Sequence, residues 1–573
     1  MTNSNLKDFS NFHANLAQSA YTGRPSNFPF DSQRDSDKEL LNSGQSLYFD
    51  FSQDNKFYNK DKKEWEITPG GKKLPHDGKV YLQPDPDLHT VEDTIKLQVG
   101  DPGGGVHQEE HPIKLYQKGL LTDEKAGFSA YYLTDTPTLT NDTKKTYMTI
   151  RGSDAISIEN WNDWVDNDAK FALNHIHTPQ AKLATAGMKA KIAEMREKAP
   201  NVTMDITGHS LGTIVSAQGV AGLSDEELEK ISKVVLFDGP DTTKSLKKMG
   251  LSDEKIKKIS EKIEYYVNPF DVVGMLNREH TITKLPGDSD EPLKKPVGKV
   301  NVLVPLHYTQ ITDPESSHDF GVFQSDGKGN LLTASEDFHP ELLRAGEKLA
   351  RLIATTLDSL RALGVNENVA SNTLNAIMRG EALTKMAIGY VVFENFTTEY
   401  SKIVEEARKE SIKWDREAIP RYQEQLRNGN LTGEKRILVR AQLLQTAAQL
   451  ANFDMEDKVK SVKTLLSDAK EDIQNMIKET RQTAFDMVGY LSSSEVTNLL
   501  SGFDTTSFWD EGVASDTKTA ATSFLTQIEQ LGESLVKASG SFETIDTNSA
   551  EDFNNLLADV KQTWRGKNVS PNG

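Results

Sequence analysis

The sequence predicts an α/β domain built on a mostly parallel sheet, followed by an elongated all-α domain. Three observations predict it. Nineteen of the 21 prolines and all 12 histidines lie at or before residue 340, leaving only Pro420 and Pro571 beyond. Within those 340 residues short β-prone runs alternate with helix-prone stretches, the pattern of strands joined by crossover helices. Past residue 340 the chain loses its helix breakers, and apolar residues recur at three/four spacing.

Taken in order, residues 1–120 are polar and turn-rich and read as an N-terminal extension with one hairpin. Strand-like runs follow at Phe128–Leu133, Tyr147–Ile150, Val202–Ile206, Lys233–Phe237, Ile263–Val267 and Lys299–Val304, with helical stretches at 179–198, 213–222 and 243–262. Such alternation implies helices on both faces of the sheet and chemistry at the carboxyl ends of its strands. This core is expected over 121–340 and the helical domain over 341–573. In the latter, helices are expected at 343–364, 381–410 and 434–451, broken at Gly364, Asn428-Gly429-Asn430 and Ser492–Ser494. Val459, Val462, Leu466, Ala469, Ile473, Met476, Thr480, Ala484 and Met487 outline a further coiled-coil-like helix.

Composition excludes several classes of function. At 573 residues the chain is long enough for two or three domains, each with its own core. Its 85 acidic against 66 basic side chains give a formal charge of −19, which argues against a nucleic-acid partner. With no cysteine there is no disulfide, thiolate metal site or cysteine nucleophile. No run of about 18 apolar residues marks a membrane span, and the first residues carry no apolar stretch of a Sec signal peptide. His107-Gln108-Glu109-Glu110-His111 fits a zinc-peptidase pattern, but glycines before it and Pro112 after it deny the required helix, so it reads as a solvated loop. Asp31-Ser32-Gln33-Arg34-Asp35-Ser36-Asp37 lacks the spacing and glycine of a calcium loop and reads as a solvated turn. The aromatic run Tyr390, Phe393, Phe396 reads as core. No metal and no cofactor is expected.

The chemistry concentrates at Gly208-His209-Ser210-Leu211-Gly212, between an alternating strand-like run and a helix-forming stretch. A strand-to-helix elbow strains the serine backbone, and small residues two before and two after it let the turn pass. Ser210 is therefore the candidate nucleophile. A serine needs a general base and the base an orienting carboxylate, which in α/β-hydrolases follow in the order Ser, Asp or Glu, His. Asp271, in the turn Asn268-Pro269-Phe270-Asp271 after a strand, is the leading carboxylate, with Asp238 and Asp241 as alternatives. Of the downstream histidines, His280 precedes the last strand and sits awkwardly, and His339 is the last in the chain. Position alone leaves His307 and His318 comparable. The Leu211 N–H is the first expected oxyanion donor, and Ser153, in Arg151-Gly152-Ser153-Asp154 after an earlier strand, is the second.

Together these pieces resemble the class 3 lipase branch of the α/β-hydrolases over about 125–335. The resemblance rests on Arg151-Gly152-Ser153, Trp161-Asn162-Asp163-Trp164 with Asp166, Thr207-Gly208-His209-Ser210-Leu211-Gly212 and Asn268-Pro269-Phe270-Asp271. It also rests on His318 with Phe320, Phe323 and Ser325-Asp326-Gly327, which favours His318 over His307 as the base. Ser153 stands where many members carry threonine, and Thr213 where glycine is common. The helical part is similar to LXG and WxG-like modules of type VII secretion substrates, through Phe542–Ala550 and loosely through Trp509-Asp510-Glu511-Gly512, in the reversed domain order of type VII-secreted lipase toxins.

What the resemblance implies is a serine lipase, phospholipase A-like, acting on fatty-acyl esters through an acyl-enzyme. It implies synthesis in the cytoplasm and secretion by the type VII machinery, small helical secretion partners on the C-terminal helices, and an immunity protein that blocks the lipase domain. Lid segments are expected at Ala155–Trp161 and Val272–Pro296. The contrasting expectation is an inert hydrolase-fold protein whose helices mediate assembly.

Overall fold

The computed structural model describes residues 12–20, 48–50, 55–59, 64–68, 79–100, 106–152, 178–305, 307–308, 317–318, 323–324, 330–362, 387–428, 431, 433–529, 531–532 and 535. Contacts divide the chain into two compact units, Met1–Ser411 and Ile412–Gly573.

The strands of the first unit are β1 (Tyr48–Asp50), β2 (Asn55–Asn59), β3 (Glu64–Thr68), β4 (Lys79–Leu82), β5 (His89–Gly100), β6 (Val106–Lys118), β7 (Thr122–Asp123), β8 (Phe128–Thr134), β9 (Lys145–Ile150), β10 (Thr203–His209), β11 (Ile231–Phe237), β12 (Ile263–Val267) and β13 (Lys299–Val302). β9 to β13 lie side by side in chain order and are all parallel. β8 and β4 extend this run antiparallel, while β2 and β3 pair by themselves. The α/β class read from the sequence is observed, and every strand expected between 128 and 304 is present within a few residues.

The helices begin with α1 (Phe12–Ser19), then α2 (Pro179–Lys198), α3 (Leu211–Ala221), α4 (Asp225–Leu228), α5 (Thr243–Lys248), α6 (Asp253–Ser260) and α7 (Val272–Met275). The stretch 243–262 forms two helices rather than one. Gly250, at φ 77°, ends the first, and the Ser252 side chain caps the second by accepting from the Lys255 N–H.

The strand order has a consequence for which face is covered by what. Right-handed crossovers between parallel strands laid down in sequence carry all their helices to one side. On that side α3 packs against α2, α5 and α6. The other face is covered by α1, which packs on β9, β10 and β11. Thr149 and Thr207 donate to the Leu16 and His13 carbonyls, and buried Asp205 forms an ion pair with Lys145 Nζ at 2.7 Å and bonds His13 Nε2 at 3.0 Å. Ala14, Leu16 and Ala17 then join Leu133, Tyr147, Val235 and Phe237 in one core cluster. Eight residues are too few for a stable isolated helix, so this packing holds α1 together.

The N-terminal region is thus richer than one hairpin. It supplies α1, two antiparallel hairpins and an edge strand of the main sheet. His107 and His111 fall on β6, opposite Val99 and Ile95, so their segment is strand and not loop. Among the described residues no cluster of three or more His, Cys, Asp or Glu could hold a metal ion.

Two further helices, α8 (Pro340–Ala362) and α9 (Ala387–Arg427), follow the sheet. α8 packs on α7 and β13. Along α9, Phe396, Tyr400, Val404, Ala407 and Ser411 are buried at helical spacing, and Lys348–Glu406 and Arg344–Glu410 ion pairs join α8 to it. The sheet-bearing unit therefore continues past residue 340 and ends at Ser411.

The second unit is helical. Ala418 and Tyr422 pack with Val439 of α10 (Gly433–Met487), and Arg416 pairs with Asp454 at 3.3 Å. The sequence-expected helix at 434–451 and the apolar stripe from Val459 are one continuous helix of 55 residues. That stripe is only partly covered: Val459 is buried, while Ala469, Met476 and Met487 are exposed. The break near Ser492 is present, because Ser492 caps α11 (Ser493–Leu499) through a reciprocal bond pair with Glu495. Residues 511–529 are helical, and Asp510 caps them through the Gly512 and Val513 N–H groups. Gly364 and Phe542–Ala550 lie outside the described residues. No helix among those described is long and apolar enough to cross a membrane.

Candidate active site

The turn from β10 into α3 holds Ser210 at φ 57° and ψ −130°, a conformation that costs a non-glycine residue strain. Its neighbours make it possible. A Cβ on Gly208 would lie 2.6 Å from the Gly212 carbonyl oxygen and 2.9 Å from Ser216 Oγ. A Cβ on Gly212 would run into the Ile150 carbonyl oxygen and the Arg151–Gly152 backbone. Thr213 donates its Oγ1 hydrogen back to the Ser210 carbonyl at 2.7 Å and so tightens the turn. Ser210 stands at the N-cap of α3 without making a side-chain cap, which leaves its hydroxyl for another acceptor.

That acceptor is His318. Its Nε2 lies 2.9 Å from Ser210 Oγ, and its Nδ1 lies 3.0 Å from Asp271 Oδ2. With Nδ1–H donating to the carboxylate, Nε2 is left to take the serine proton. Asp271 is held in turn. It N-caps α7, Oδ1 accepting from the Val273 N–H at 3.1 Å and Oδ2 from the Gly274 N–H at 2.6 Å. Asn268 braces the turn by accepting from the Phe270 N–H. Ser210 and Asp271 are buried, while the His318 side chain keeps 25 % of its surface. The three groups can pass one proton from hydroxyl to imidazole, with the imidazolium facing a carboxylate. That is the chemistry of acyl transfer.

The oxyanion side is visible in part. Leu211 begins α3, so no carbonyl of its own helix can satisfy its N–H. Gly212 brings the backbone of Arg151 and Gly152 into contact with this helix start. Ser153, Asp154 and the Trp161–Trp164 segment with Asp166 lie outside the described residues, as do Ala155–Trp161, Phe320 and Ser325-Asp326-Gly327.

Residues 138–280 match the family model described as Cutinase. This stretch therefore carries a cutinase domain, of the α/β-hydrolase class of serine esterases and lipases, and a helical region follows it in the chain. The cutinase stretch contains Ser210 and Asp271, and His318 comes to them from beyond it. No curated protein and no solved structure matches the chain.

The other candidates are engaged elsewhere. Asp238 Oδ1 accepts from the Asn268 N–H and Asp241 Oδ1 from the Thr243 N–H. The His280 backbone bonds Glu347, and His339 Nδ1 bonds Glu341. His307 is half-buried, and the imidazole that bonds Ser210 and Asp271 is that of His318. Val272 to Met275 and Arg278 are buried, so the front of the segment expected as a lid is core.

Three functional neighbours escaped the sequence reading. His209 Nε2–H donates to the His318 carbonyl at 2.9 Å with the two rings 4.7 Å apart. Burial first, and the nearby His318 second, push the His209 imidazole well below its ordinary range, so it serves as a neutral prop. Arg278, fully buried, donates to the Gly239 and Gly274 carbonyls and lies 4.5 Å over the Tyr265 ring, tying the turn after β11 to α7, the helix that Asp271 caps. Ser317 Oγ donates to the Phe270 carbonyl at 2.9 Å. The position of His209 inside the elbow motif was its only signal, and the other two had none.

Proposed function

We propose that this protein is a serine esterase that hydrolyses fatty-acyl esters of lipids, with phospholipids as the main class, by a phospholipase A-type reaction. Ser210 Oγ attacks the ester carbonyl while His318 Nε2 takes its proton, and Asp271 steadies the imidazolium. The Leu211 N–H and Ser153 receive the charge on the carbonyl oxygen. His318 then returns the proton to the leaving alcohol, and water, activated the same way, frees the fatty acid from Ser210. The observation that carries this reading is the unbroken Ser210–His318–Asp271 hydrogen-bond chain on a strained elbow.

The helical module is proposed to serve type VII secretion and to bind small helical partners. Large apolar side chains exposed on the second unit support this, among them Leu465, Met476, Met487, Leu499 and Phe524. An immunity protein is proposed to block the esterase. The catalytic reading is tested by Ser210→Ala against wild type on a mixed-chain phosphatidylcholine, with the released fatty acid identified. Removal of the nucleophile lowers kcat by about 10⁶-fold. Equal release by both proteins would sink the assignment, and the chain released reports which ester position is cut.

A further inference from the structure

Phe270, the residue before Asp271, is gripped more heavily than a turn requires. Its carbonyl oxygen accepts two hydroxyls, Ser317 Oγ at 2.9 Å and Tyr400 Oη at 2.8 Å. Ser317 directly precedes His318. Tyr400 comes from α9, which lies outside the cutinase stretch. The Phe270 ring packs on the Tyr308 ring at 4.8 Å, and the Tyr308 hydroxyl bonds Ser411, three turns beyond Tyr400 on the same face of α9. Ser411 also bonds Glu341 Oε1, the same oxygen that His339 Nδ1 bonds. Phe270, Ser317, Tyr400 and Ser411 are all buried, so solvent does not compete for these bonds.

We propose that Tyr400 and Ser317 are positioning residues for the acid and base of this esterase, so that a helix beyond the hydrolase sequence is built into its active site. The inference rests on the esterase reading above. A carbonyl oxygen has two lone pairs, and here both are used, which fixes the plane of the peptide joining Phe270 to Asp271. The carboxylate leaves the next Cα, so this plane sets its direction toward His318 Nδ1. Ser317 ties the histidine's own backbone to the same oxygen, so acid and base are referenced to one atom. Displacing such a pair by about 1 Å costs on the order of 10²-fold in rate.

The two hydroxyls are redundant, and redundancy makes a sharp test. In the full chain, Tyr400→Phe, Ser317→Ala and the double variant are compared for kcat and KM on a soluble short-chain p-nitrophenyl ester and for melting temperature. Each single variant keeps one donor and is expected to lose kcat about 3-fold with KM unchanged; the double is expected to lose about 100-fold, well beyond the product of the singles. Thr149→Val is the control. It removes a buried hydroxyl that bonds the Leu16 carbonyl on the far face of the sheet, and is expected to lower the melting temperature without lowering kcat. If the double variant does not fold, singles with wild-type kcat overturn the proposal. So does a folded double no slower than Thr149→Val at equal loss of melting temperature. An inactive wild type overturns the esterase reading itself, whereas an active wild type with an equally active double variant overturns only the positioning.

Discussion

Replacing Asp271 with asparagine removes one charge and one acceptor while leaving the volume nearly unchanged, and the structure says what each loss costs. The carboxylate receives three donors: the Val273 N–H on Oδ1, and the Gly274 N–H and His318 Nδ1 on Oδ2. An asparagine oxygen at the Oδ2 position keeps His318 and Gly274 but turns an NH₂ toward the Val273 N–H. That orphaned donor costs about 1–3 kcal/mol of folding stability. Turned the other way, the NH₂ faces His318 and forces the wrong imidazole tautomer. In both cases the imidazolium of the transition state loses a counter-charge about 4 Å away between charge centres. At an effective dielectric of about 20 this is worth about 4 kcal/mol, or about 10³-fold in kcat. The assay is kcat on a soluble ester for folded Asp271→Asn, with KM and melting temperature measured on the same preparation. A kcat within tenfold of wild type would refute the role given to Asp271.

Gly212→Ala pushes a methyl into the Ile150 carbonyl and the Arg151–Gly152 backbone. It is expected to cost about 1–3 kcal/mol and at least about 10²-fold in kcat, because the turn facing the oxyanion must retreat; a denaturant titration with wild-type midpoint and kcat would contradict this. Stability is also expected to fall on mild acidification. Burial holds the His13 and His209 imidazoles below their ordinary value of 6.5, so from that pH downward the unfolded chain takes up protons that the folded chain refuses. Each group then contributes a loss of up to about 1.4 kcal/mol per pH unit until its folded value is reached. Urea unfolding at pH 7.5 and 5.5 measures the slope, which His209→Gln should reduce; a stability that is flat or rises on acidification would contradict the assignment.

The parts legible in the sequence are those whose cause is local. Alternation marks the strand through Ile206, a short apolar run marks the one around Val235, Gly208 and Gly212 mark the elbow, and Pro269 marks the turn that ends in Asp271. Loop histidines carry no such mark. Residues alone left His307 and His318 level, and the structure brings His318 to Ser210 across a sequence separation of 108. The hardest features to read were tertiary. Nothing about His13, Arg278 or Tyr400 distinguishes it from a surface polar residue until the fold buries it against a backbone or carboxylate 39 or more positions away. The extent of the sheet-bearing unit was hidden for the same reason, since the apolar face of α9 does not say what it packs against. The segment around His107 misled through its glycines, which precede a strand whose register is set by its partner β5.

The sequential order of β9 to β13 bears on how this chain acquires its fold. α1 is synthesised before its seat, which exists only once β10 and β11 have paired, some 190 to 220 residues later in the chain. Until then Leu16 and its alanine neighbours have no partner, and afterwards the apolar face of Val235 and Phe237 waits for them. Closure of that loop is a late, non-local step. The N-terminal segment is in this sense the latch of the hydrolase unit, and a chain still lacking it would present an uncovered sheet face to its neighbours.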